Sequence, residues 1–331
     1  MENRTIAVVT GANGFVGSHL VDYLIEKNFK VRCIVRKSSD LKWLTNKEVE
    51  IFDCGLLDKV GLRKAFADAE YIFHVAGVVK SKHPIGYFDG NVKTTETLLE
   101  VAKEFKTKIK RFLIVGSQTA SGPSRDANSP VDENSECKPI TTYGRSKREQ
   151  EIVAQKYFNE LPITICRAPA VYGERDTEIF IFFQTFAKGL FTTIGLNKKV
   201  ISLIHVRDLV EGFYLAAMSE KGKSETFFIS SEKFYSWEEI GEVTSRVMGK
   251  KTFHLAVPHF LVFSIASISQ LVALFSSKAA TLNIEKAKDI TQVAWICSPK
   301  KAVDLIGYKQ KISLEEGMKR TVEWYRQMKW L

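Results

Sequence analysis

Cysteine is scarce in this sequence and poorly spaced for cross-linking. The five present, Cys33, Cys54, Cys137, Cys166 and Cys297, are odd in number and form no CxxC pair. That excludes a disulfide scaffold and predicts reduced thiols in a cytoplasm. The six histidines show no metal-ligand spacing, so no metal is expected. No stretch of five basic residues and no aromatic-and-basic signature accompanies the formal charge of +10, and nucleic acid is not an expected partner. The opening MENRTIAVVTG lacks the long apolar core and cleavage site of a secretory signal, which again favours the cytoplasm.

What is present suits a globular protein. The 331 residues are 45% hydrophobic and 26% charged, enough to bury a full core without staples. Short β-branched runs at 5–9, 30–35, 49–52, 71–75, 111–116 and 163–166 alternate with helical patterns at 17–26, 62–66, 91–106 and 143–157. This rhythm predicts an α/β fold, a Rossmann-type doubly wound parallel sheet with helices on both faces. After Gly173 the rhythm breaks at IFIFFQTFAKGLF. The expected division is 1–170 plus 199–231 as a dinucleotide-binding domain. Residues 171–198 plus 232–331 then form a smaller, mainly helical substrate-binding lid over the carboxyl edge of the sheet.

Gly11, Gly14 and Gly17 stand in Thr10-Gly11-Ala12-Asn13-Gly14-Phe15-Val16-Gly17, between the first strand and the first helix. Glycine removes the Cβ that would block a pyrophosphate, and free N–H groups at the helix start favour the anion. The turn therefore predicts a dinucleotide site built from Gly11, Asn13, Gly14, Phe15, Val16 and Gly17. An NAD-selective domain carries an acid at the end of its second strand. Here that strand ends in Arg36 and Lys37, which suit a 2′-phosphate and favour NADP, with NAD as the alternative.

Tyr143 and Lys147, in Tyr143-Gly144-Arg145-Ser146-Lys147, are neighbours on one helix face. A phenol has an ordinary pKa of about 10, and a cation about 4 Å away attracts its phenolate by roughly 4 kcal/mol at an effective dielectric of 20. The spacing predicts a phenol tuned for general acid/base work.

With the glycine turn, this pattern resembles the extended branch of the short-chain dehydrogenase/reductase superfamily, the NAD-dependent epimerase/dehydratase group. That branch includes nucleotide-sugar epimerases, dihydroflavonol reductases and 3β-hydroxysteroid dehydrogenases. Phe73-His74-Val75-Ala76-Gly77, Asn91, Arg167-Ala168-Pro169-Ala170-Val171-Tyr172-Gly173 and His205-Val206-Arg207-Asp208 fit it as well. The resemblance implies that Lys147 binds the nicotinamide ribose and lowers the Tyr143 pKa, while Tyr143 exchanges a proton with the substrate. It also implies that Ser117 holds the substrate oxygen, with Ser121 as the competing serine. Leu56, Val75, Ala76, Gly77, Pro169 and Val171 are the further implied cofactor contacts, with Tyr143 and Lys147.

Departures from the family pattern narrow the activity. Gln118 and Thr119 follow Ser117 where dehydratases carry Asp and Glu, and an amide is no general acid. Ala170 and Ile201 stand where epimerases place an Asn and an Arg that help grip a diphosphate. Gly55 replaces the acid that recognises adenine in relatives. The phenylalanines at 180, 182, 183, 186 and 191 give an apolar substrate region, and the uncharged run at 260–275 adds to it. The expected function is a ketone/secondary-alcohol oxidoreductase acting on a small, hydrophobic, lipid-, sphingoid- or sterol-like molecule. A nucleotide-sugar epimerase with retained NAD is the second reading, and a non-catalytic NADP-binding sensor the third. Sixteen helical residues span about 24 Å, too short for a bilayer core of roughly 30 Å. The run at 260–275 then either packs in the lid or makes a peripheral membrane contact, with Lys278 against anionic lipid. A homodimer is also compatible with the sequence.

Overall fold

The computed structural model describes residues 4–275 and 282–331; the expectation for Lys278 lies outside them. β1 (Ile6–Thr10), α1 (Phe15–Glu26), β2 (Lys30–Ile34), β3 (Val49–Phe52), α2 (Lys59–Phe66) and β4 (Tyr71–His74) open the chain. α3 (Pro84–Phe88) runs through a π-helical turn, Asp89–Lys93, into α4 (Thr94–Lys103). β5 (Arg111–Ser117), α5 (Thr142–Gln155) and β6 (Ile163–Ala168) complete the alternation. β7 (Ala170–Tyr172), α6 (Phe180–Ala187), β8 (Leu190–Ile194), β9 (Val200–His205), α7 (Val206–Met218) and β10 (Glu225–Phe228) follow. The remainder is β11 (Phe234–Ser236), α8 (Trp237–Met248), β12 (Phe253–Val257), α9 (His259–Leu274), α10 (Ile284–Ile290), β13 (Ala294–Trp295), α11 (Lys300–Ile306) and α12 (Leu314–Gln327).

Seven parallel strands form the main sheet in the order β10-β6-β5-β4-β1-β2-β3. Its strands are apolar on both faces because both are covered. Ala7 and Val9 of β1 join the core beneath α1 and α7, while Val8 joins the one beneath α2, α4 and α5. Strand order reverses between β1 and β4, and the crevice beyond their carboxyl ends is where such sheets bind ligands. α7 and β10 pack with this sheet, whereas β9 pairs with β7, β11 and β13 in a second, smaller one.

The phenylalanine run corrects one expectation. Phe183 and Phe186 are buried on α6 and Phe191 on β8; Phe183 shares a core with Tyr172, Ile240, Met318 and Tyr325. Phe180 and Phe182 are partly buried against the same core. Spacing of three residues lines up 183 and 186 on one stripe; Phe183 meets Tyr325 of α12, and Phe186 packs against Phe191 of β8. These rings hold the lid together instead of presenting an apolar substrate face.

α9 differs. Its stripe at 262, 266, 269 and 273 faces inward, with Val262 and Ala266 buried against Ala287 of α10. The adjacent stripe of Leu261, Ile265, Ile268 and Val272 is exposed. Among the described residues, no helix is long and apolar enough to cross a membrane.

Candidate active site

The glycine turn is fixed by close contacts. Gly11 has φ +65°, and a Cβ there would lie 2.8 Å from Ala76 Cα. A Cβ on Gly17 would lie 2.1 Å from the Gly11 carbonyl oxygen, so α1 can approach the strand end only with glycine at both positions. Gly14 is exposed immediately before α1, and no side chain caps the helix there. Uncapped N–H groups at the head of a twelve-residue helix, beside a cradle that a Cβ would fill, fit a pyrophosphate. Asn13 Nδ2 donates to the Asp40 carbonyl at 3.3 Å and ties the turn to the loop after β2. Phe15 and Val16 pack partly against the core under α1.

Arg36 and Lys37 are exposed just beyond β2. The Arg36 backbone N–H donates to Ser39 Oγ at 3.1 Å, which shapes this loop. Gly55 sits opposite, with φ +70°, and Leu56 packs partly on the core beneath α2. At the end of β4, the Ala76 N–H donates to Thr10 Oγ1 at 3.2 Å. Gly77 is exposed; a Cβ there would meet Asn91 Oδ1 at 3.1 Å and Lys147 Nζ at 3.9 Å. The strand-end backbone and the lysine therefore share one space. Pro169 and Val171 flank the crevice after β6, both partly exposed.

Ser117 closes β5 and stays partly accessible. Its Oγ accepts from Thr119 N at 3.2 Å and from Thr119 Oγ1 at 2.8 Å. Thr141 caps α5 by accepting from Gly144 N at 3.0 Å, which starts the helix so that Tyr143 and Lys147 lie one turn apart. The Tyr143 ring lies 6.3 Å from that of Tyr87 on α3. Ser117, not Ser121, stands beside the phenol; Ser121 is buried, with no hydrogen-bond partner for its Oγ among the described residues.

Electrostatics corrects a second expectation. Burial pushes the Tyr143 phenol up to about 12, partly opposed by the Ser117 hydroxyl, which favours the phenolate. Burial pushes Lys147 down to about 8, opposed by Glu151. The i,i+4 spacing predicts a depressed phenol. Desolvation wins instead, and the ammonium donates to the Val115 carbonyl at 2.7 Å.

Behind these residues lies a buried polar set of which the motifs had marked only His74 and Asn91. His74 bridges Thr10 Oγ1 at 2.8 Å and Thr95 Oγ1 at 2.9 Å, and burial lowers its pKa to about 3. Gln150 donates to Thr95 Oγ1 at 2.8 Å. Asn91, in the π-helical turn, accepts from Val78 N at 2.7 Å and donates to Ser146 Oγ at 2.9 Å. Glu151 accepts from Arg167 Nε at 2.9 Å and Nη2 at 2.7 Å. Glu151 follows Lys147 by four residues, and that spacing was the available signal. The lid reaches the same helix through Glu285 of α10, which accepts from Thr142 N at 2.9 Å and pairs with Arg145 at 3.0 Å.

A family model described as the NAD dependent epimerase/dehydratase family matches residues 7–230. A ceramide reductase of Caulobacter vibrioides is 26% identical over 329 residues, covering 99% of this chain and 96% of that protein. A decarboxylating sterol-4-alpha-carboxylate 3-dehydrogenase of Dictyostelium discoideum is 23% identical, covering 94% of this chain and 98% of that protein. In fold, the chain is similar to the crystal structure of a UDP-glucose 4-epimerase from Thermotoga maritima. The TM-score is 0.78 at 24% identity, with 98% of this chain and 99% of that one covered.

Proposed function

Because this chain belongs to the NAD dependent epimerase/dehydratase family, we propose that it is an NADP-dependent oxidoreductase interconverting a ketone and a secondary alcohol on a hydrophobic substrate. The carrying observation is an arrangement of Ser117, Tyr143 and Lys147 with no polar side chain at two positions that would help grip a sugar diphosphate. Ala170 is an exposed methyl group on β7, and Ile201 packs against the lid core. Two missing polar contacts to a charged ligand are costly. The buried Gln118 amide offers no acid for dehydration. Resemblance to a ceramide reductase and a sterol dehydrogenase supports a lipid-like substrate.

A bound nicotinamide supplies hydride exchange. Lys147, between the Val115 carbonyl and the space beside Gly77, is placed to bind its ribose hydroxyls. With its pKa raised to about 12, Tyr143 holds its proton at neutral pH and can deliver it to a ketone oxygen in the reductive direction. Ser117 donates a hydrogen bond to the same oxygen and holds it against the phenol. Arg36 and Lys37, exposed past β2, supply cations for a 2′-phosphate.

The test is NADPH oxidation with a long-chain ketone, run beside UDP- and GDP-sugars. Turnover with the ketone alone is the expected result. Tight UDP-sugar binding by calorimetry, or protein purified with NAD that does not exchange, would replace this reading with a nucleotide-sugar epimerase. Arg36→Ala is expected to raise KM for NADPH roughly tenfold and leave NADH use unchanged, the loss of one charge-assisted contact.

A further inference from the structure

The lid carries a surface that the proposed reaction does not use. Residues 179–207 and 243–284 contain no aspartate or glutamate, yet hold eight lysines and arginines. These segments build α6, the parallel ribbon of β8 and β12, and α9. α9 presents Phe260, Leu261, Ile265, Ile268, Leu271 and Val272 outward, with Ile268 62% and Val272 65% exposed. Residues 253, 255 and 257 share one face of β12; Val257 packs with α9, while Phe253 and Leu255 stay exposed.

Cations flank this apolar face. His259, the first residue of α9, lies against Gly195 and Asn197, so the loop carrying exposed Leu196 and Lys198 borders the start of the helix. Lys188 and Lys251 are exposed at the opposite end of the ribbon, and Lys288 is exposed on α10, which packs on α9. None of these four lysines has an ion pair with a carboxylate among the described residues.

We propose that α9 and its cationic border form a docking surface for an anionic phospholipid membrane, with the helix lying in the plane of the interface. An uncharged helix with apolar side chains outward, rimmed by unpaired lysines, matches the headgroup and acyl layers of such a membrane. A sixteen-residue helix lies about 24 Å along the surface. A second copy is the poorer occupant, because a two-fold interface would set the same unpaired lysines, Lys188, Lys198, Lys251 and Lys288, against themselves. The docked helix would also sit beside the active site, since α10 joins α9 to the Tyr143 helix through Glu285. Docking does not depend on the substrate being a lipid.

The test is flotation of the full chain with phosphatidylcholine vesicles, with and without phosphatidylglycerol, at low and high salt. Wild type is expected to bind the anionic vesicles at least about tenfold more tightly than the neutral ones, and to be released by salt. Ile268→Asp with Val272→Asp is expected to abolish binding while leaving ketone turnover and the unfolding midpoint unchanged. Each of Lys198→Glu and Lys251→Glu is expected to weaken binding about fivefold or more. The proposal is overturned if wild type ignores anionic vesicles, or if the aspartate pair binds them as wild type does. It is also overturned if light scattering finds a dimer that the aspartate pair converts to monomer while vesicles bind neither form. Failure of the ketone assay alongside intact vesicle binding would reject the proposed reaction and leave the docking surface standing.

Discussion

The carboxyl edge of the large sheet and the outer face of α9 break the same rule in opposite senses. At the sheet edge His74, Asn91, Thr95, Lys147, Gln150 and Glu151 are buried. On α9, Ile265, Ile268, Leu271 and Val272 face outward. Buried polar groups survive only when hydrogen-bonded, and each of the six makes at least one hydrogen bond. Exposed apolar groups need no such partners to fold, because their cost appears as a tendency to associate. Mutation at the sheet edge should therefore damage chemistry or folding, and mutation on α9 should damage neither.

Tyr143→Phe probes the first half most severely. Turnover is expected to fall by about 10²- to 10⁴-fold, the usual weight of a general acid. The unfolding midpoint and NADPH binding, followed by calorimetry, should hold, because Ser117 keeps Thr119 as a partner. Glu151→Ala strikes the fold instead. Arg167 would remain 3% exposed without its counter-charge, a loss of about 3–5 kcal/mol in urea unfolding. If either variant behaved like a surface change, the sheet edge would lose its distinction from α9.

How much of this was legible in the sequence depends on which signal each region carries. The alternation of strands and helices announced the large sheet, and the glycine turn and Tyr143–Lys147 spacing lie where they were expected. β7, β11 and β13 span three, three and two residues, too short for alternation to register, so the second sheet went unseen. Glu151 belongs to no motif, because its partner Arg167 lies on another element and the pairing exists only in the fold. The two apolar runs of the lid read alike by composition. Only packing separates them: α6 meets α8 and α12 with large rings, whereas α9 offers Val262 and Ala266 to α10 and leaves its bulk outside. The spacing of Tyr143 and Lys147 gave their proximity but not the sign of the phenol's shift, since burial is invisible in a motif.

Lys147→Met gives a smaller, pH-dependent effect. The folded ammonium has a pKa near 8 and the unfolded one about 10.4. Between these values the unfolded chain binds the extra proton, so stability rises with pH through that window and the penalty is fully present below about 8. The whole rise is about 3 kcal/mol. Unfolding midpoints from neutral to alkaline pH should climb in wild type relative to Lys147→Met, while turnover is lost in the variant. Parallel curves would mean that the lysine is solvated and does not belong to the buried set.

The smallest expected effect decides the other half. Ile268→Ser removes a large apolar side chain from a helix interior, and serine is a slightly weaker helix former than isoleucine at most. With the side chain 62% exposed, little packing is lost, and the change in urea-unfolding stability should stay within about 0.5 kcal/mol. Solubility should improve as the apolar patch shrinks. A loss of several kcal/mol would mean that this face is covered in the folded protein, and α9 would then be a core helix like α6. The contrast with the sheet edge therefore turns on a measurement expected to show almost nothing, because only a cost-free substitution is compatible with an apolar face left for something outside the chain.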